Sequence, residues 1–315
     1  MASDLDSQLS TLTGARQTML SWSKVVESYE AVPEAYRSSY KMTLGDGAPF
    51  PYTVFAPAIA GLRHRTTEKL LCEVSDAIYV WERIGNQVVM AAYPLETISD
   101  LEIGRIILYS WITISGVTKA GIASSSTVEF NTATSRHFAR FVNKVRPAPD
   151  HVDASEQSVE RAKFDYLALE TFKFMNYALE SLVDGEKVLH ILWQPKINKP
   201  IIRLGWSTFY RTSAMAHLTI LTDKELIVIQ DDERSRENRG VRYGGKWQYI
   251  ALSHISAVSL REHADDLLIL SLMLSPGERR LEIIFAASRK QELVQLQDEL
   301  EKLIGSTISA RLAAA

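Results

Sequence analysis

The sequence is poor in cysteine and has no long hydrophobic run. Cys72 is the one cysteine among 315 residues, so no disulfide can form within the chain and a reducing compartment is expected. The longest charge-free apolar stretch lies between Arg105 and Lys119. It is shorter than the roughly 18 to 20 residues that span a bilayer, so we interpret it as a buried strand. Residues 1–6 carry aspartates and no apolar segment follows them, which predicts no signal peptide and a cytoplasmic protein.

An excess of positive charge is also absent. The chain carries 35 Lys and Arg against 38 Asp and Glu, a net charge of −3, so no global positive field attracts nucleic acid and none is expected as a partner. With 46% hydrophobic and 23% charged residues, the composition is that of a folded globular protein. Any anion-binding site must therefore come from a local cluster of basic residues.

Catalytic and metal-binding signatures are missing as well. The sequence has no GxSxG nucleophile turn, no HExxH or CxxC metal pattern and no glycine-rich phosphate-binding motif. No two of its seven histidines stand four residues apart beside a carboxylate, so no metal is expected. Cys72 lies in an apolar run without a base nearby in the sequence, which predicts a small core residue. These absences favour a protein without enzymatic activity, cofactor or metal.

Short β-strand patterns fill most of the chain on either side of a linker. Residues 146–153 contain two prolines and two aspartates without hydrophobic periodicity, which is typical of a linker between domains. Before the linker, β-branched and aromatic residues predict seven strands, at 52–56, 69–74, 77–83, 88–93, 99–103, 107–114 and 127–131. After it, seven more are predicted at 188–193, 218–221, 226–230, 247–251, 257–261, 267–274 and 281–285.

Each run of strands ends in an amphipathic helix. The apolar residues on one helical face are Phe138, Phe141, Val142 and Val145 in the first half, and Leu293, Leu296, Leu300 and Leu303 in the second. Such a face is expected to cover the opening of a sheet. The tryptophans within predicted strands, Trp81, Trp111 and Trp247, are expected in the core.

The two halves also repeat one another in sequence. The aligned residues are Leu95, Ile98, Ser99, Ser110 and Gly116 in the first half and Leu252, Ile255, Ser256, Ser271 and Gly277 in the second. The first three pairs share one offset, and the last two follow an insertion near residues 262–266 in the second half. A repeat unit of about 150 residues indicates a duplicated domain, since solenoid repeats are much shorter.

Seven short antiparallel strands followed by a helix resemble the pleckstrin-homology (PH) superfold. Residues 95–103 and 252–260 are similar to the fourth and fifth strands of bacterial PH-like and GRAM-like domains. The resemblance covers residues 50–146 and 186–304 and implies two partly closed seven-stranded barrels, each capped by its C-terminal helix. The expected fold class is therefore α+β and mainly β. A pair of other small β-barrels is the structural alternative.

Two further helices are predicted outside the barrels. Met19, Trp22, Val26 and Tyr29 share one face of an N-terminal helix that Pro33 would end. A second helix, at 155–183, is expected to lie between the domains and fix their relative orientation. The predicted division is an N-terminal helical segment (1–48), a first PH-like domain (49–146), a linker with the interdomain helix (147–185), a second PH-like domain (186–305) and a C-terminal tail (306–315).

Two basic clusters are the candidate binding sites. The first cluster follows the first strand of the first domain. PH-like domains usually bind anionic head groups in this loop, so the resemblance implies an anion site here. The second lies among aromatic residues in a long loop at 195–215, and such mixtures favour contact with a partner or a membrane surface. The candidates for ligand or anion binding are Arg63, Arg65, Lys69, Lys196, Lys199, Arg203 and Arg211, and those for an interface are Trp206, Phe209 and Tyr210.

The resulting hypothesis is a non-catalytic cytoplasmic binding or scaffolding protein that recognises a protein partner or assembles with itself. One alternative is peripheral binding to an anionic membrane through the basic loops. The other is an enzyme with an interdomain site near His190, His217 or Asp223. The mixed charges at 231–239 predict an exposed, mobile hairpin tip that does not bind nucleic acid.

Overall fold

The structure is a computed structural model that describes residues 22–45, 49–59, 66–150, 153–204, 207–235, 237–238, 241–263 and 266–314. The described part is mainly β, with several antiparallel sheets, and none of these sheets closes on itself. Of the strand and helix segments at 201–204, 207–210, 237–238, 241 and 307–314, the backbone alone is described. No helix of the described part is both long and apolar enough to cross a membrane.

The first half contains two groups of strands. The first group is β1 (Lys24–Val26), β2 (Thr53–Ala56), β3 (Lys69–Val74), β4 (Ala77–Ile84) and β5 (Gln87–Pro94), which form one sheet in chain order. The second group is β6 (Ile98–Ile106), β7 (Tyr109–Val117) and β8 (Ala123–Asn131). Helix α1 (Glu34–Leu44) packs on the five-stranded sheet through the buried Tyr36 and Tyr40. Helix α2 (Ala139–Val145) ends this half, with Phe141 in the core.

The second half repeats the order of β2 to α2 with two inserted strand pairs. Three helices connect the halves: α3 (Ala154–Ala162), α4 (Leu167–Glu170) and α5 (Phe172–Ser181). The strands that follow are β9 (Val188–Gln194), β10 (Ile197–Leu204), β11 (Ser207–Ala214), β12 (His217–Thr222), β13 (Glu225–Gln230), β14 (Glu237–Asn238), β15 (Val241–Arg242), β16 (Gly245–Ala251), β17 (Ile255–His263), β18 (Leu267–Leu274) and β19 (Arg279–Ala286). Helix α6 (Lys290–Ala314) ends this half, and the inserted pairs are β10–β11, a separate hairpin between β9 and β12, and β14–β15.

One continuous sheet joins the two halves. Its seven strands have the order β8-β7-β6-β16-β13-β12-β9, so β6 of the first half pairs antiparallel with β16 of the second. Buried Asp100 on β6 accepts hydrogen bonds across this junction from Gln248 Nε2 at 3.0 Å and from Arg279 Nη1 at 2.6 Å. Gly244 precedes β16 with φ +90°, and a Cβ atom there would lie 2.1 Å from the carbonyl oxygen of Arg105. The close approach of the two halves therefore depends on glycine at position 244.

All fourteen predicted strands are present, most of them longer than predicted by one to four residues at an end. The core predictions are also confirmed: Trp81, Trp111 and Trp247 are buried, and so is Cys72. On α6, Leu293, Leu296 and Leu300 are buried against β17, β18 and β19 in one hydrophobic cluster. The domain boundaries stay predictions.

The predicted N-terminal helix is wrong over the residues that the structure describes. Residues 24–26 form β1, which pairs antiparallel with β2, and residues 27–32 form a turn. The β-branched Val25 and Val26 favour a strand, and β2 offers them an edge to pair with. Pro33 does not end a helix but stands at the N-cap of α1, where its missing N–H is no loss. Met19 lies outside the described residues.

The interdomain helix at 155–183 is also wrong as one element, because three short helices take its place. The chain leaves helical geometry at Thr171, whose φ of −159° and ψ of 84° are extended. Phe164 and Leu167 are buried on one side of this break, and Phe174 and Ala178 on the other. The sequence predicted the apolar residues of this segment but not the break at Thr171. The break lets the apolar faces of two short helices pack on the sheet, whereas one straight helix would lose contact with it.

Two segments that were predicted as loops contain strands. Residues 195–215 include the β10–β11 hairpin, in which Lys199 lies opposite Arg211. The segment at 231–239 is not an exposed tip throughout, because Asp232 and Ser235 are buried and β14 pairs with β15. Asp232 binds the Arg234 guanidinium, which stacks 3.9 Å above the Trp111 ring. This segment is held by contacts with another part of the chain, which its own sequence does not predict.

Candidate binding groove

A groove of about 550 Å³ lies where α5 begins and where the β10–β11 hairpin leaves the large sheet. We call it the binding groove. One wall is formed by the start of α5 and the other by the ends of β9, β13 and β15. Its lining residues are Glu170, Thr171, Phe172, Lys173, Phe174, Trp193, Pro195, Lys196, Ala216, Asp231 and Arg242.

Aromatic side chains form the floor and rim of the binding groove. The rings of Phe174 and Trp193 lie 4.5 Å apart at an angle of 51°, and Phe174 is buried. Phe172 stands at the rim with 63% of its surface exposed, and the neighbouring Leu169 is 96% exposed. The extended conformation of Thr171 makes Phe172 the first residue of α5. Because residues two apart on a helix point to opposite sides, Phe174 turns inward while Phe172 faces solvent.

Charged groups surround the aromatic floor and are held in place. The Lys173 ammonium contacts the Asp231 carboxylate, donates to the carbonyl oxygen of Arg242 at 2.8 Å and lies 5.1 Å from the centre of the Phe174 ring. Arg242 Nη1 in turn donates to the carbonyl oxygen of Ser235 at 2.5 Å. Aromatic and cationic groups that are already ordered lose little conformational entropy on binding. The groove is therefore suited to an apolar anchor that carries nearby acidic groups.

Apart from Lys69, the predicted basic and aromatic candidates fall into three groups. Lys196 lines the binding groove, and Lys199 and Arg211 lie next to it on the hairpin. The backbone of Arg203, Phe209 and Tyr210 lies in β10 and β11, but their side chains are outside the described part. Arg63, Arg65 and Trp206 lie outside the described residues altogether. The structure thus brings Lys196, Lys199 and Arg211 to one region of the second half.

Lys69 lies in the first half and is separate from these residues. It is buried, and its ammonium bonds to Glu129 Oε2 at 3.1 Å and Thr67 Oγ1 at 2.8 Å, with Glu82 Oε1 at 3.5 Å. Two carboxylates therefore already neutralise this cation, so its geometry is that of a structural ion pair and does not support an anion site at Lys69.

A buried charged cluster that no motif predicted joins the two halves. At the end of α2, the Arg146 guanidinium contacts the buried Glu225 carboxylate, donates to the carbonyl oxygen of Ser181 at 2.6 Å and lies 3.9 Å above the Tyr249 ring. Arg146 and Glu225 are 79 positions apart, so only the fold could bring them together.

Glu186 is the second carboxylate of this cluster. It is 3% exposed, and its Oε2 accepts a hydrogen bond from the Val183 N–H at 3.0 Å. No donor among the described residues reaches its Oε1. Burial first, and then the Glu225 carboxylate, raise the pKa of Glu186 to about 8. A proton on Glu186 therefore satisfies the arrangement, since a protonated carboxyl can donate to Glu225.

The residues suggested for an interdomain enzyme site do not meet. His217 and His190 stand on the paired strands β12 and β9, with His190 opposite Leu221, about four residues or 13 Å along the ladder from His217. Burial lowers the pKa of His217 to about 4. Asp223 accepts a hydrogen bond from the Lys187 N–H at 2.9 Å in a strand connection. Burial raises the pKa of Cys72 to about 11, which disfavours the reactive thiolate. In the described part, no cluster of His, Cys, Asp and Glu forms a metal site.

Comparison with known proteins adds little to this picture. No protein-family model matches the chain, and no curated protein matches it. Among solved structures, the chain is similar to the DH/PH domains of a mutant p115-RhoGEF, with 11% sequence identity and a TM-score of 0.25. The match covers 55% of this chain and 46% of that one, so it spans about half the length of either protein.

Proposed function

We propose that this chain is a non-catalytic binding protein that recognises a protein partner in the binding groove. We also propose that its two halves are PH-like units. Each half supports this interpretation, because four sheet-forming strands, three further strands and a helix follow one another in the same order. The four are β2, β3, β4 and β5 in the first half and β9, β12, β13 and β16 in the second.

The observation that carries the proposal is the exposed Phe172 in the same groove as the ordered rings of Phe174 and Trp193, with the exposed Leu169 three residues before it in the chain. Large apolar side chains exposed next to a concave aromatic surface are typical of interaction sites, where a few aromatic anchors supply most of the binding energy. Three basic side chains line the groove against the two carboxylates of Glu170 and Asp231, and this net positive charge favours acidic groups on the partner. The partner segment we expect is therefore apolar and flanked by Asp or Glu.

The test compares three forms of the full chain, each purified with its bound proteins from its own host. The forms are the wild type, Phe172→Asp in the groove and Ile122→Asp as a control, since Ile122 is equally exposed at 63% but lies in the β7–β8 turn. We expect a partner protein to co-purify in stoichiometric amount with the wild type and the control, but not with Phe172→Asp. The purified partner should bind Phe172→Asp at least about ten-fold more weakly than the wild type, a difference of about 1.4 kcal/mol. Equal recovery or equal affinity for all three forms contradicts the proposal.

A second candidate function is peripheral binding to an anionic membrane surface. It is favoured by the position of Lys199 opposite Arg211, because this pairing places two basic side chains together on the β10–β11 hairpin, where they add to the attraction of an anionic surface. We expect vesicles that contain phosphatidylserine to sediment the wild type at low salt but not at high salt. Lys199→Glu with Arg211→Glu should abolish this, and Lys290→Glu with Lys302→Glu on α6 should not. No sedimentation of the wild type at low salt rules this function out.

A further inference from the structure

The junction between the two halves uses one strand edge from each. In the first half it is the edge of β6, and in the second it is the edge of β16. The pairing is antiparallel, with Trp247 opposite Ile103 and Tyr249 opposite Leu101. Since the halves repeat one another, each half has a counterpart of both edges. The junction occupies only one edge of each half.

The sequence repeat identifies the two counterparts. The offset that aligns Leu95 with Leu252 and Ile98 with Ile255 also aligns β5 with β16 and β6 with β17. The edges that the internal junction leaves over are therefore β5 in the first half and β17 in the second. β5 corresponds to β16 and β17 corresponds to β6, so the two remaining edges are counterparts of the two edges that pair at the internal junction.

Both remaining edges are unpaired by strands in the described part. β5 pairs with β4 alone, and β17 pairs with β18 alone. Near the C-terminal end of β5, the carbonyl oxygen of Ala92 accepts a hydrogen bond from the Lys119 N–H at 2.8 Å. The part of the edge that remains for pairing is therefore the part of β5 before Ala92. There Val89 is 51% exposed and Met90 is 42% exposed.

The middle part of each edge lacks the usual protection against strand pairing. No charged residue and no bulge occurs from residue 87 to residue 93 of β5, although exposed edges normally carry lysine, proline or a bulge. On β17, the pairing with β18 shifts register between Ile255 and Ala257, but Ala257 and Ser259 are exposed, small and uncharged. The charges further along β17 are already ion-paired, Arg261 with Glu282 and Glu262 with Lys290. Both edges can therefore accept another strand without burying an unpaired charge.

We propose that copies of this chain associate head to tail, with β5 of one copy pairing antiparallel with β17 of the next. The internal junction supplies the register: Met90 aligns with Trp247 and Leu260 aligns with Ile103, so Met90 lies opposite Leu260. Val89 then lies opposite Arg261. The faces also correspond, because α6 packs on the side of β17 that carries Leu260, and α1 packs on the five-stranded sheet that contains β5.

This arrangement makes a polar assembly. The two edges in contact are different, so every added copy leaves one free β5 edge and one free β17 edge. An interface of this kind gives a ring where the rotation closes and an open filament where it does not. The inference goes beyond the proposed function, because β5 and β17 include none of the residues that line the binding groove and the partner is a second copy of the chain.

The test uses two blocked forms of the full chain. Val89→Lys with Met90→Lys places two lysines on β5, and Ala257→Lys with Ser259→Lys places two on β17. Met42→Lys with Ile122→Lys is the matched control, because these residues are 85% and 63% exposed on other surfaces. Circular dichroism and thermal unfolding confirm that each form is folded. Sedimentation velocity over a range of concentrations then measures the mass of each form alone and of the two blocked forms mixed.

We expect the wild type and the control to form species larger than the 35.4 kDa chain as concentration rises. Each blocked form alone should stay monomeric. An equimolar mixture of the two blocked forms should give a species of twice the chain mass and nothing larger, since one good β5 edge then meets one good β17 edge. A monomeric wild type, blocked forms that still associate, or a mixture without dimers each overturns the proposal. Phe172→Asp should associate like the wild type, so this result is separate from that of the groove.

Discussion

Replacing Glu186 with glutamine should reduce the loss of stability as pH rises. In the folded chain, burial and the Glu225 carboxylate raise the pKa of Glu186 from 4.5 to about 8. In the unfolded chain the side chain is solvated and releases its proton near its ordinary pKa. Between these two values the folded state holds a proton that the unfolded state has lost. The free energy of unfolding therefore falls as pH rises through this window, by at most about 1.4 kcal/mol per pH unit.

The assay is urea denaturation of the wild type and Glu186→Gln between about pH 5 and about pH 9. Glutamine cannot ionise, so its advantage over the wild type should grow by up to about 4 kcal/mol across this range and level off above about pH 8. The matched control is Glu156→Gln, an exposed glutamate on the neighbouring α3, which should leave the difference constant. If the curves of the wild type and Glu186→Gln run parallel, Glu186 is ionised in the folded chain and the reasoning is refuted.

Three further predictions concern a buried histidine, the last helix and the junction glycine. Burial lowers the pKa of His217 to about 4, so its contribution to stability is complete above the unfolded pKa of 6.5 and is lost as pH falls toward 4. His217→Gln should remove this fall in the free energy of unfolding at acid pH, as measured by urea denaturation, and an unchanged fall would contradict the prediction. Leu296→Ala should cost about 2 to 5 kcal/mol in urea denaturation, whereas a change near zero would mean that α6 is not part of the core. Gly244→Ala should lower the melting temperature much more than Gly121→Ala: both glycines have positive φ, but a Cβ at 244 meets the Arg105 carbonyl at 2.1 Å and one at 121 meets nothing within 4 Å. Equal losses would show that the junction does not need the close approach.

The candidate site was predictable only in part. Interleaved cations and aromatics at 195–215 pointed to a region in which Lys196 lines the proposed binding groove. Phe172 and Phe174 were not predicted as site residues, because residues 155–183 were predicted to form one interdomain helix. The structure breaks this helix at Thr171, and the apolar spacing gives no sign of the break. Lys69 was selected from a charge cluster, but its neutralisation by Glu129 comes from β8, far away in the chain.

By itself the sequence determined the order of the strands, the repeat of the two halves and the apolar face of α6. The strands and the helix face depend on the alternation of neighbouring residues and on the 3.6-residue helical period, which a short window contains. The repeat follows from comparing such windows in the two halves. The tertiary structure alone decided that β6 pairs with β16, that Arg146 reaches Glu225, and that residues 24–26 form a strand. A strand edge carries no label for its partner in its own sequence. Which edge it meets depends on how distant faces pack together, and that is a property of the whole fold.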